Sequence, residues 1–299
     1  MEKFYECFEA LSTKACFSES LKSNLRLDKS RRNTMKSKKI ESMAEVLLVI
    51  VIFMILAWFI EAKISSPFWG FVSKTVMILL SIVAVVSRGK HLEDYGLSIK
   101  NLSFSCKWGA LFSLTVVTPP LLALLVLGQL KTAIENVESL MVDIFWYFVM
   151  VGFAEELFFR GYIQTRLNEA FNKHFRKFLG FEVEYGWGLI ITAVIFGVVH
   201  IFGGINPFKG TYAIKPFYIF IAISATFFGL LFGVIREKTG DIWACSILHG
   251  TWDFFWILIF MPSNATISGI TMFIGFFIVF GILFEKFLSS DHIARRLSN

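Results

Sequence analysis

The chain alternates long apolar blocks with short polar ones. The apolar blocks lie near residues 44–61, 68–87, 108–128, 142–160, 187–203, 217–235, 241–260 and 266–285, each close to the 17–25 residues with which a helix crosses a hydrocarbon core. A closed barrel is the other spanning solution, but its strands alternate polar and apolar positions, and LLVIVIFMILAWFI (47–60) does not. The pattern predicts an all-α, polytopic membrane protein of about eight transmembrane helices. A polar, basic tail covers 1–43, the membrane domain 44–285 and a short second tail 286–299. Beyond the fourth block, Tyr162, Ile163, Leu167 and Phe171 keep helical spacing, so 161–171 is expected to continue that helix or to lie at the interface. Pro119-Pro120 removes two backbone donors and is expected to kink or break the third helix. The two halves show no similarity of the kind common in transporters.

Composition agrees with this pattern: of 299 residues 56% are hydrophobic and 17% charged, with a mean hydropathy of +0.65. Of the 29 Lys and Arg, 24 fall in the two tails, the loops near 88–107, 161–186 and 236–240, and Arg160 at a helix end. The intervening loops hold four, and Lys74 lies inside the second block. The positive-inside bias therefore predicts both termini on the cytoplasmic side. The net charge of +6 reflects that topology and calls for no nucleic-acid partner. The basic run Lys22–Lys39 is expected to be a solvated tail, with anionic lipid headgroups as its other candidate contact. No secretory signal pattern opens the chain. Cys7, Cys16, Cys106 and Cys245 have no CxxC spacing and are expected to be free thiols.

Six of the ionisable residues in or at the ends of apolar blocks carry the candidate chemistry: Glu155, Glu156 and Arg160 in GFAEELFFRG, His200 in VIFGVVHIFGG, and His249 and Asp253 in CSILHGTWDFFW. Each costs roughly 2.5–3.5 kcal/mol at bilayer depth on insertion scales, so each needs partners or a function. Helical spacing puts Glu156 and Arg160 on one face, as it does Phe196 with His200 and His249 with Asp253. Glu155 points elsewhere, above Gly152, whose missing side chain is expected to leave space beside the carboxylate. On this reading Glu156 is structurally paired and Glu155 is the carboxylate available as a general base. Lys74 is expected to snorkel to the outer interface, and neither it nor Asp143 or Asp241 is assigned a catalytic role. HExxH, GxGD and GxSG motifs are absent, which removes the anchors for metzincin-, presenilin- and rhomboid-like chemistry.

Together, Glu155-Glu156-x-x-x-Arg160, Phe196-x-x-x-His200 and His249-x-x-x-Asp253 resemble the CPBP family, the CAAX proteases and bacteriocin-processing enzymes that include type II CAAX prenyl endopeptidases and Abi proteins. The stretches 159–164 and 93–97 resemble it too, and the resemblance covers roughly 45–285. It implies a glutamate-type intramembrane endopeptidase, expected in a prokaryotic cell membrane, that cuts a peptide or protein, possibly lipid-modified, near the cytoplasmic face. In that family the first Glu and the His of the second motif activate water, which assigns those roles to Glu155 and His200. The third motif stabilises the oxyanion, here His249 and Asp253. Asp253 can donate to an oxyanion only when protonated, so it is alternatively an orienter of His249. Glu156, Arg160 and Phe196 would support the site.

No cofactor is expected, but Glu155, His200 and His249 are also a possible Zn²⁺ set. Two other readings stand beside the protease: a noncatalytic immunity or interaction protein, and a proton-coupled transporter. Helix rise places Glu155, His249 and His200 about 8, 12 and 20 Å from the predicted inner ends of their spans. A single site requires those depths to converge.

Overall fold

The computed structural model describes residues 34–64, 68–171 and 174–290. Most of the basic N-terminal tail, with Cys7 and Cys16, and residues 291–299 lie outside the described residues. The chain divides between Glu45 and Val46, within its first helix, into two units, and the packing below is that of the second.

Seven described helices are long and apolar enough to cross a membrane. They are α1 (Thr34–Lys63), α2 (Phe68–Val86), the span Glu93–Val126 that contains α3 (Leu102–Val126), α4 (Val137–Ala170), the span Trp187–Gly204 that contains α5 (Trp187–Ile201), α6 (Pro216–Thr239) and a final segment Trp243–Ser289. At 47 residues that last segment would measure about 70 Å as one rod, more than twice a hydrocarbon core. It is interrupted at Asn264, where φ −156° and ψ 97° leave helical geometry. The interruption divides it into α7 (243–263), which opens with Trp243–Phe255, and α8 (265–289); both pack on α3. The all-α, polytopic fold of about eight spans is therefore present.

The outside of the bundle is apolar, and the interior combines an apolar core with a set of buried polar groups. Val126, Phe220, Ile223, Phe273 and Phe277 are exposed, whereas Glu156, Arg160, Gln164 and Asp241 are buried, as expected where lipid is the solvent. Small residues set the helix crossings. A Cβ on Gly152 of α4 would lie 2.7 Å from the Ser246 carbonyl and 2.9 Å from the Gly250 nitrogen of α7. The space expected beside Glu155 is thus filled by backbone of another helix.

Pro119 and Pro120 do not break α3, which runs on as one helix. The carbonyls their missing N–H groups leave unbonded belong to Thr115 and Val116, and these are the atoms that meet Gly275 of α8, where a Cβ would come within 2.6 and 3.0 Å of them. Close packing shields the freed carbonyls from lipid.

α4 continues through 161–170 as the spacing predicted, with Tyr162, Ile163 and Leu167 fully buried. Beyond it, β1 (His174–Phe178) and β2 (Phe181–Gly186) form an antiparallel hairpin, an element that the pattern of apolar blocks does not predict. Its two-residue turn, Leu179-Gly180, has φ of 50° and 93°, the left-handed geometry that matches strand twist. A second small hairpin pairs β3 (Ile205–Asn206) with β4 (Thr211–Tyr212) after α5. Cys106 and Cys245 are free thiols.

The 93–97 stretch caps the end of the bundle that carries the basic loops. Gly96 turns at φ 97°, and its carbonyl accepts from the Ile242 N–H just before α7. The Tyr95 hydroxyl reaches Arg88 and Glu169. The loop between α6 and α7 is consequently held deep: Asp241 is buried and accepts from the Ser105 hydroxyl at 2.7 Å.

Candidate functional site

Four helices bring the site together. Glu155 and Glu156 lie on the single α-turn Ala154–Glu156 between two π-helical stretches of α4, Phe145–Phe153 and Leu157–Gln164. Irregular turns of this kind change which residues share a face and recur at functional positions. His200 ends α5, His249 and Asp253 sit one turn apart on α7, and Lys74 comes from α2.

His249 is the hub. Its Nδ1 donates to Glu156 Oε1 at 2.8 Å, the direction a carboxylate acceptor requires. Its Nε2 faces Glu155 Oε2 at 3.8 Å and Asp253 Oδ2 at 3.5 Å. Glu156 Oε1 also accepts from Arg160 at 3.1 Å, with both side chains fully buried. Arg160 Nε and Nη2 have no hydrogen-bond partner; the guanidinium instead lies 4.3 Å from the Phe196 ring centre and 5.3 Å from that of Phe232, contacts that suit a desolvated cation.

The Phe196 ring sits beside both imidazoles, edge-on at 4.8 Å from His200 and 6.1 Å from His249. His200 Nδ1 donates to the Phe196 carbonyl at 2.6 Å, which leaves a lone pair on Nε2 in the neutral ring. His200 is also within electrostatic range of Glu155.

Two expectations are corrected here. Lys74 does not snorkel away: its ammonium pairs with Glu155 Oε1. Glu155 is therefore not the carboxylate without a cation, and Glu156 is not occupied by Arg160 alone, because it also holds His249. Spacing could not show either contact, since both run between helices. The signal for Lys74 was its place in an apolar span, the same signal that marked the other six residues.

The depths converge as well. A Cβ on Gly188 of α5 would meet Asn168 of α4, and Phe196 packs on Phe159 at 4.8 Å, so α4 and α5 run antiparallel with His200 near the level of Glu155. Measured from the helix ends at the basic loops, Lys74, Glu155 and His200 lie about 18, 22 and 20 Å deep. His249 is only about 9 Å along α7, and α7 itself begins at the buried Asp241 turn. The 8 Å expected for Glu155 counted α4 as ending at Arg160.

As metal ligands the set fits poorly. Among the described residues no group of three His, Cys, Asp or Glu is arranged to hold an ion, and Lys74 already takes one oxygen of Glu155. The arrangement instead offers a carboxylate oxygen, Glu155 Oε2, and an imidazole nitrogen too far apart for a direct hydrogen bond and close enough that one water beside them can bond to both.

No curated protein matches this chain. Residues 137–255, the segment that contains Glu155, Glu156, Arg160, Phe196, His200, His249 and Asp253, match the family model described as type II CAAX prenyl endopeptidase Rce1-like. Over 137–255 this integral membrane protein is thus similar to the Rce1-like type II CAAX prenyl endopeptidases, the family its three motifs resemble.

Proposed function

We propose that the chain is a glutamate-type intramembrane endopeptidase that hydrolyses a peptide bond by water activated at Glu155, with its site opening toward the cytoplasm. The observation that carries this reading is the gap between Glu155 Oε2 and His249 Nε2, where one water can touch both a proton acceptor and the oxyanion partner.

In the proposed reaction the water oxygen attacks the scissile carbonyl carbon and its proton passes to Glu155 Oε2. The lone pair on His200 Nε2 orients that water. His249, ringed by Glu155, Glu156 and Asp253, carries both ring protons: Nδ1–H stays with Glu156 while Nε2–H donates to the tetrahedral oxyanion. Collapse breaks the C–N bond, and the proton held by Glu155 moves to the departing amine. The products are a carboxylic acid and an amine, with the Glu155 carboxylate restored. Glu156, Arg160 and Phe196 touch no reacting atom and hold the imidazoles. No step requires a metal.

The Rce1-like match favours a prenylated C-terminal peptide as substrate over a bacteriocin leader, and the excess of Lys and Arg at one end of the bundle supports a cytoplasm-facing site. The test is cleavage of a farnesylated CAAX reporter peptide by purified protein in proteoliposomes. Glu155→Gln is expected to lower the rate at least about a hundredfold while still accumulating as folded protein; wild-type cleavage by that variant would overturn the reading. Pretreatment with phenanthroline is expected to leave activity intact. Loss on chelation with rescue by Zn²⁺ would replace the metal-free scheme.

A further inference from the structure

The two oxygens of Glu155 face different partners. Oε1 receives the Lys74 ammonium, and Oε2 looks across 3.8 Å to His249. Lys74 reaches this point because α2 is clamped to α4 one turn earlier: a Cβ on Gly70 would come within 2.6 Å of the Trp146 ring, and Phe71 packs on the same indole at 4.8 Å. Gly70, Ser73, Met77 and Ser81 form the buried face of α2, and Lys74 lies at the edge of that face. A lysine in an apolar span needs either a route to the headgroups or an anion. This one has an anion, the side chain proposed as the base.

The consequence is geometric. A carboxylate without a fixed partner rotates about its terminal torsion, so either oxygen can face the imidazole. An ammonium on Oε1 selects one orientation and fixes the plane of the group. Arg160, the other buried cation nearby, is committed to Glu156. Of the two Glu155 oxygens, the one paired with His249 is Oε2, not the Oε1 held by Lys74.

We propose that Lys74 is a positioning residue for the peptidase reaction: by holding Oε1 it presents Oε2 as the oxygen that takes the proton of water. This rests on Glu155 being the base. Lys74 acts through Glu155 and touches no reacting atom. The ion pair is thus part of the catalytic geometry, and a role confined to neutralising a buried charge would give a different kinetic signature.

That signature is the split between kcat and KM for the reporter peptide in proteoliposomes. Lys74→Met is expected to lower kcat about thirtyfold or more, with KM within threefold of wild type and the thermal midpoint nearly unchanged. Lys74→Arg, which keeps a cationic donor, is expected to recover kcat to within fivefold. Should Lys74→Met fail to accumulate as folded protein, Lys74→Ala, which also removes the donor, is judged by the same thresholds. A kcat within threefold of wild type in the Met or Ala variant overturns the proposal, as does a defect confined to KM or no recovery in the Arg variant. Glu155→Gln runs alongside: if it is inactive while Lys74→Met is fully active, only the assignment of Lys74 falls. If Glu155→Gln is itself active, the proposed function falls and Lys74 with it.

Discussion

Asp253 stands 3.5 Å from the nitrogen of His249 that faces Glu155, close enough to steer the ring and not placed to replace it. An amide oxygen can accept from the same ring N–H. Asp253→Asn is therefore expected to keep reporter cleavage within about tenfold of wild type, and Asp253→Ala to lose on the order of a hundredfold, the cost of a misoriented catalytic group. Equal, severe losses in both would mean that the charge itself is required. Every pair on one helix was legible in the sequence, because a four-residue spacing fixes who shares a face: Glu156 with Arg160, Phe196 with His200, His249 with Asp253. Lys74 with Glu155 and His249 with Glu156 were not, because the relation between two helices depends on crossings that no local spacing encodes. The pairing within the Glu155-Glu156 doublet consequently differs from the expectation: each carboxylate has its own cation, and both face His249.

The element that does most to form the site is α4, and its closest neighbour is α7. Gly152 and Gly250 let the two backbones meet; a Cβ on Gly250 would lie 2.9 Å from the Phe148 Cα. Gly152→Ala puts a methyl group into α7 backbone that has no side-chain end to yield. It is expected to cost about 1–3 kcal/mol, the usual range for overpacking, lowering the thermal midpoint in detergent, and to reduce cleavage by separating Glu155 from His249. An unchanged midpoint would show that the helices are not in contact there. Helix existence was legible from the apolar blocks, since length and composition suffice in lipid. Continuity was not: the unbroken α3 depends on Gly275 of α8 covering the carbonyls freed by Pro119 and Pro120. The β1–β2 hairpin was partly legible, for Phe181, Val183 and Tyr185 alternate with Glu182 and Glu184 and their apolar face packs toward the core.

At the scale of the whole molecule, the buried turn at Asp241 reconciles the depths. Three helices carry their site residues about 20 Å from the ends at the basic loops, while α7 starts its count from inside the bundle. The sequence supplied each helix with a start and a length but not an origin, because an acidic residue at a block edge looks the same whether it lies in water or, like Asp241, under Ser105 and Thr239.

A site at that depth works as a ruler on its substrates. Extended chain advances about 3.3 Å per residue, so a cleavable bond must be joined to any folded part of its protein by a tether of about six residues before it can reach Glu155. Reporters that carry the same cleavable segment behind linkers of two, four, six and ten residues from a stable domain are expected to divide into uncut short forms and cut long ones, with the change near six. Cleavage that ignores linker length would mean that the substrate domain itself enters the bundle. In a mixture of proteins with equally good cleavage sequences, the length of the unstructured tail would then decide which are processed.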